Sequence, residues 1–252
     1  RQMCIRDRLE ADSALNSGDL KMEIMIETTQ SIINSKGEVT PRKIANAANE
    51  DSKQNRCIGA HFGTYDYTAS CDLITAYQTM DSTVCDFARH MIKVAFGGSG
   101  IFLSDGATNI MPVGQHRGKN LSTLQIRENM GTVHRAWKLA YGHIRHTLAH
   151  GFYQGWDLHP SQVPVRHAAN AAFFLEQLQK STVRLKNFVE QASKATLSGD
   201  VFDDAATGQG LLNFFFRALI SGAIDSEDVE NAGVTEEEVQ AGSFRKIVEA
   251  RR

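Results

Sequence analysis

The chain carries no excess of charge of either sign. Its 252 residues hold 27 Lys and Arg against 29 Asp and Glu, a formal net charge of −2. That balance removes the electrostatic footprint expected of a nucleic-acid or anionic-membrane binder. Long apolar runs are missing too, and none approaches the roughly 18 residues of a membrane span. Cysteine is scarce. Cys4, Cys57, Cys71 and Cys85 form no C-x-x-C pair, and their spacing fits no zinc module. Reduced, buried thiols in a cytoplasmic protein are the expectation. No internal repeat or low-complexity linker interrupts the chain. The Gly97–Gly100 run lacks the Lys-Ser/Thr of a phosphate-binding loop and follows a helical stretch, so it reads as a helix stop. Residues 1–8, RQMCIRDR, contain no apolar targeting core and resemble translated sequencing-adapter sequence. On that reading the true chain begins upstream of about Leu9.

What is present is an alternation. Short apolar runs at Lys21–Thr28, Cys57–Phe62, Gly100–Ser104 and Gly155–His159 predict strands. The first, KMEIMIET, is apolar almost throughout, as in a strand covered on both faces. Thr40-Pro41 predicts a capped helix start. Asp81-Ser82 precedes a helix with Val84, Phe87, Ala88, Met91, Val94 and Ala95 at helical spacing. Asn129–His150 predicts a long helix with Trp137, Tyr141, Ile144 and Leu148 on one face. From Ser161 the pattern is helical: Ser161–Leu178, Ser181–Leu197, Ala205–Leu219 and Val234–Arg251, the last with Thr235 and Glu238 spaced as a capping box. Strands alternating with helices argue for a parallel α/β architecture. An eight-stranded barrel takes about 250 residues. Four strands and a helical final third therefore predict a partial (β/α)8 TIM barrel, about its last four βα units, over residues 9–165. Residues 166–252 form a helical C-terminal extension.

Carboxylates and their neighbours at strand ends are the candidate chemistry. Glu27 closes the first strand, and Asp66 stands just past the second, 39 residues on. If the strands are neighbours, both carboxylates share one rim and suit Mg²⁺ or Mn²⁺, which take hard oxygen ligands. The competing reading is that each caps a helix or pairs with a lysine. Asp105, Thr108 and Asn109 follow the third strand and face the same rim, as substrate contacts or as an Asx turn. His159 and Gln162 flank Pro160 after the last strand. His159 is a general acid/base candidate beside the plainer reading of a turn organised by proline. His143, His146 and His150 fall opposite the Trp137–Leu148 stripe, so they are expected to face solvent, with no carboxylate at ligand spacing. His61 points opposite to its strand neighbours.

Three segments in order, KMEIMIETTQSI, GAHFGTYDYTASCDL and GFYQGWDLHPSQVPVR, resemble the HpcH/HpaI aldolase and citrate lyase β-subunit superfamily over about Lys21–Arg166. The matching positions are Ile26-Glu27-Thr28, Gly63-Thr64-Tyr65-Asp66, and Gly155 through Gln162. The resemblance implies a phosphoenolpyruvate/pyruvate-type barrel with Glu27 and Asp66 as metal ligands. It places a substrate carboxylate on the backbone N–H groups of Tyr65 and Asp66, which fits a turn with free amides entering a helix. It implies a metal-dependent carbon–carbon lyase of aldolase type, in which the ion stabilises a pyruvate-like enolate. An acyl-CoA lyase of the citrate or malyl-CoA type, or a non-catalytic binding module, are the alternatives. The substrate is then an oxo-acid or acyl-CoA. Tyr65 is bulkier than the family's usual residue there, the Glu-to-Asp spacing is longer, and Asp157 replaces an apolar residue or Cys. The family's enolate-steadying arginine lies on an earlier strand with no counterpart here, so this stretch alone is expected to be inactive. Open sheet edges in a half-barrel predict self-association, as a homo-oligomer.

Overall fold

The structure, a computed structural model, describes residues 8–49, 56–194 and 205–251. Residues 1–7, with Cys4, lie outside the described residues. The chain divides into two compact units, Arg1–Val163 and Pro164–Arg252.

The first unit is built on four parallel strands, β1 (Met22–Ile26), β2 (Cys57–Phe62), β3 (Phe102–Asp105) and β4 (Gln154–Gly155), in that spatial order. All four runs predicted from sequence form strands. The last is the shortest, because Trp156–His159 leave the sheet into a turn. Register is set by pairs such as Ile26↔Phe62 and His61↔Ser104. Side chains alternate across a strand. Ile24, Ile26, Ala60 and Phe62 enter the main core with Ile32, Ala45, Tyr67, Cys85, Ala88, Ile92, Phe96 and Phe152. The opposite face is only partly covered. Glu23 is exposed and Met25 half-buried there, so β1 is not sealed on both sides as its apolar run suggested.

The helices of this unit are α1 (residues 8–12), α2 (Thr29–Ile32), α3 (Pro41–Ala47), α4 (Thr64–Ser70), α5 (Thr83–Phe96) and α6 (Thr123–Ala149). Thr40 and Ser82 precede α3 and α5 but make no side-chain cap. Thr40 Oγ1 donates instead to the Gln30 carbonyl. Helix α6 begins six residues before Asn129, because Ser122 and Gln125 form a reciprocal capping box. The buried face of α5 is Cys85, Ala88, Arg89, Ile92 and Phe96, whereas Phe87 is 51% and Val94 79% exposed. A charged residue inside the buried face turned the sequence pattern onto the wrong side.

Before β1, the Glu10 carboxylate lies buried. It accepts the Gly18 and Leu20 amides at 3.0 and 2.9 Å and pairs bidentately with Arg56 at 2.9 Å. Burial raises its pKa, but these donors outweigh burial and hold it below the usual carboxylate range. A depressed folded-state pKa gives stability that is present above the unfolded value and lost as pH falls through the folded one. Urea midpoints should therefore drop as pH falls below about 4, and Glu10→Gln should flatten that acid limb while lowering stability at neutral pH.

The second unit is helical: α7 (Val163–Lys194), α8 (Ala205–Ile220), α9 (Ser226–Asn231), α10 (Glu236–Ala241) and α11 (Phe244–Ala250). Helix α7 is continuous where two helices were expected, since nothing at Lys180-Ser181 breaks the backbone ladder. The expected helix end at Leu197 lies outside the described residues. The expected final helix is split in two, because Gly242 takes φ 65° and Ser243 caps α11. The Thr235/Glu238 capping box forms as read, and α9 carries a second one, Asp225/Asp228, that the sequence reading missed. Packing rests on Leu185, Leu212, Phe215 and Phe244, all buried, each worth about 1.5–3 kcal/mol of transfer free energy. Gly208 admits Phe244; a Cβ there would stand 2.5 Å from its ring.

Candidate functional site

The four parallel strands deliver their following residues to one edge of the sheet. Glu27 follows β1 directly. Gly63 follows β2, and its N–H donates to the Ile26 carbonyl at 3.0 Å. Side by side, these two strand ends leave no room for a side chain at 63. A Cβ there would lie 2.5 Å from Glu27 Cβ and 2.8 Å from its Oε2. Gly63 also opens α4 without a side-chain cap, and Asp66 sits in its first turn. Glu27 is half-buried and Asp66 exposed. Neither carboxylate has a hydrogen-bond or ion-pair partner among the described residues, so the lysine-pairing and capping readings find no support. Two free carboxylates after adjacent parallel strands fit the oxygen donors that Mg²⁺ or Mn²⁺ require.

The other expected rim residues have different duties. Asp105 is not an exposed acid: it is 1% exposed, Arg89 Nε donates to its Oδ2 at 2.9 Å, and the Gly106 N–H donates to Oδ1. Burial raises its pKa against the pull of Arg89. Arg89 in turn donates to Asp86 Oδ1 at 2.8 Å and to the Met80 carbonyl. Thr108 is buried too, its hydroxyl 3.0 Å from His143 Nδ1. Tyr65 Oη donates to the Ala107 carbonyl at 2.9 Å and accepts the Asn109 N–H at 3.0 Å. This phenol thus staples the loop after β3 to α4, and Asn109 serves that staple through its backbone. His159 Nδ1 accepts the Ser161 N–H at 3.1 Å, which makes it the cap of a short 3-10 turn opened by Pro160. Gln162 closes the edge, accepting the Leu158 N–H and donating to the Thr108 carbonyl.

His61 lies on the sheet's other face. Trp156 Nε1–H donates to its Nδ1 at 2.9 Å, and its Nε2 meets the Glu23 carboxylate. Indole is only a donor. Nδ1 is therefore unprotonated, and Nε2 carries the proton toward Glu23. The strand period predicted that His61 points away from its neighbours; its partners, 38 and 95 residues distant, carried no local signal.

The histidines of α6 overturn the sequence expectation most clearly. The buried face of α6 is Ala136, Ala140, His143, Ile144, Thr147 and Leu148. The small alanines mark its centre, and the larger Trp137 and Tyr141 lie only at its edge. His143 is consequently buried, and burial lowers its pKa. His146 and His150 face α5, where Asp86 meets them: His146 Nε2 is 2.8 Å and His150 Nε2 3.9 Å from Asp86 Oδ1. One ligand atom from each of the three residues lies within 4.8 Å of the others, the spacing of a metal-binding group.

Parallel strands, helices between them, and polar residues collected at the carboxyl ends define an α/β protein with its candidate site in the strand-to-helix loops. The chain belongs to the family described as "Domain of unknown function (DUF6986)", which matches residues 2–247. No curated protein and no solved structure matches it. Among the described residues no helix is long and apolar enough to cross a membrane.

Proposed function

We propose that this chain is part of a metal-dependent carbon–carbon lyase of the aldolase type, with a TIM-barrel parent fold, acting next to the carbonyl of a pyruvate-like oxo-acid. What supports the reading is the pairing of β1 with β2 in parallel. It brings unpartnered Glu27 and Asp66 to one sheet edge, in the order that the HpcH/HpaI resemblance implies. A bound Mg²⁺ or Mn²⁺ supplies Lewis-acid polarisation of the oxo-acid there. Glu27 and Asp66 hold the ion. The uncapped N–H groups at the start of α4 offer the substrate carboxylate hydrogen bonds, and negative charge is favoured at a helix N-terminus. The Tyr65 staple fixes that turn against the loop after β3, so the amides are oriented before substrate arrives. With Asp105 committed to Arg89 and His159 to its own turn, the proton-transferring group is not assigned to either.

Binding tests this without requiring turnover. Mn²⁺ should bind with a stoichiometry of one at this edge, and oxalate, a planar analogue of the pyruvate enolate, should tighten it. Glu27→Gln and Asp66→Asn should each weaken Mn²⁺ by at least about tenfold, the scale of a lost charge-assisted contact, with little change in urea midpoint because neither side chain has a partner among the described residues. Mn²⁺ affinity equal in the wild type and both variants would remove the reading.

A further inference from the structure

We propose a second cation site, remote in chemistry from the first, on the outer helices: a Zn²⁺-class centre made by Asp86, His146 and His150. His146 and His150 are four residues apart on α6 and so present one face. Both direct Nε2 at the Asp86 carboxylate on α5, at 2.8 and 3.9 Å from Oδ1. Ligands about 2.0–2.2 Å from a tetrahedral ion stand about 3.3–3.6 Å apart, which these two distances bracket, and all three ligand atoms already lie within 4.8 Å of one another.

The surroundings orient two of the three donors as a metal site requires, and His146 Nε2, which donates to Asp86 Oδ1 in the empty site, must release that proton to the solvent when an ion binds. His150 Nδ1 lies 2.8 Å from the His146 carbonyl. A carbonyl only accepts, so Nδ1 carries the proton and Nε2 is left with a free lone pair. This is the arrangement by which an outer hydrogen bond fixes the ligating tautomer. Arg89 Nη1 holds the Asp86 carboxylate at 2.8 Å. Its charge does not repel a cation outright, because Asp105 neutralises it from the buried side. Helix α6 ends at Ala149, with His150 as its C-cap, and the negative end of the helix dipole favours a cation there. The three side chains are 22%, 26% and 27% exposed, so an ion can reach them. Two imidazoles and one carboxylate select zinc or its late first-row neighbours; Mg²⁺ and Ca²⁺ prefer all-oxygen shells. Three protein ligands leave one tetrahedral position for water. The ion would clip the first turn of α5 to the last of α6.

Zinc titration of the chelator-treated full chain, in competition with a chromophoric chelator, tests this. One equivalent should bind with a Kd of about 1 µM or tighter, since three-ligand histidine–carboxylate sites hold zinc firmly. His146→Gln and His150→Gln should each weaken it at least tenfold, and excess Mg²⁺ should not compete. His134→Gln, on the same helix but exposed and outside the cluster, should bind as the wild type. Zinc should also raise the thermal midpoint of the wild type more than that of either ligand variant. The proposal is overturned by wild-type zinc binding weaker than about 100 µM, which needs no variant to fold, or by variants that bind zinc as tightly as the wild type. Failure here leaves the Mn²⁺ experiment untouched, since the two sites share no residue.

Discussion

Methionine in place of Arg89 is expected to destabilise the first unit by about 3–5 kcal/mol, the scale set by removing one partner of a buried ion pair. Arg89 is fully buried and holds three acceptors at once: Asp105, Asp86 and the Met80 carbonyl. Its removal strands the Asp105 carboxylate, itself 1% exposed, without a counter-charge. The loss should depend on pH in a defined direction. Burial already raises the pKa of Asp105 with Arg89 present, and without Arg89 it rises further. The folded state then binds more protons than the unfolded one between the unfolded value, about 4, and the raised folded value. The extra stability of the protonated form is present below about 4 and lost as pH climbs. Urea midpoints of Arg89→Met should therefore fall from pH 5 to pH 8 more steeply than those of the wild type. Adding Asp105→Asn should recover much of the loss, because it removes the stranded charge and keeps the acceptor for the Gly106 N–H. A double variant no better than Arg89→Met would show that the cost lies elsewhere.

Gly63→Ala is the second change with a large expected effect. Its φ of −90° suits any residue, so backbone strain is not the reason. The obstacle is Glu27, whose Cβ would be 2.5 Å from the new methyl. A backbone-anchored Cβ cannot rotate aside, so β1 or the turn before α4 must shift. Overpacking of this kind costs about 1–3 kcal/mol, and here it also moves the two proposed ligands apart. Mn²⁺ affinity should fall together with the urea midpoint. Glu27→Gly removes the clashing atoms, so the pair Gly63→Ala/Glu27→Gly should be more stable than the sum of the single effects predicts. Strict additivity would mean that this contact does not limit the turn.

The strands were legible because each is a short apolar run bounded by turn residues, and their alternation with helices predicted a parallel sheet; which strands are neighbours came from the structure. Glu27, Gly63 and Asp66 were legible for the same reason: strand ends are where chain direction and carboxylate position coincide. The rest failed where a residue's partner is distant in sequence. Asp86 and His146 are 60 residues apart, so the α6 histidines showed no carboxylate at local spacing. Arg89 drew no reading from the sequence, because the Asp105 carboxylate it holds at 2.9 Å is 16 residues away. Asp105 and Thr108 were placed on the open rim because they follow β3, yet the sheet's alternation and the packing of α5 and α6 turn both inward. Tyr65 looked like a departure from a motif, and its purpose became visible only with the loop it holds.

The hydrogen bond from Trp156 to His61 has a spectroscopic consequence. It joins an indole donor to an imidazole whose ring centroid lies 5.1 Å from its own. The chain's other tryptophan, Trp137, donates instead to the Ser161 carbonyl. His61→Phe should therefore shift the emission of Trp156 and leave that of Trp137 unchanged, so the indole reports optically on the far face of the sheet.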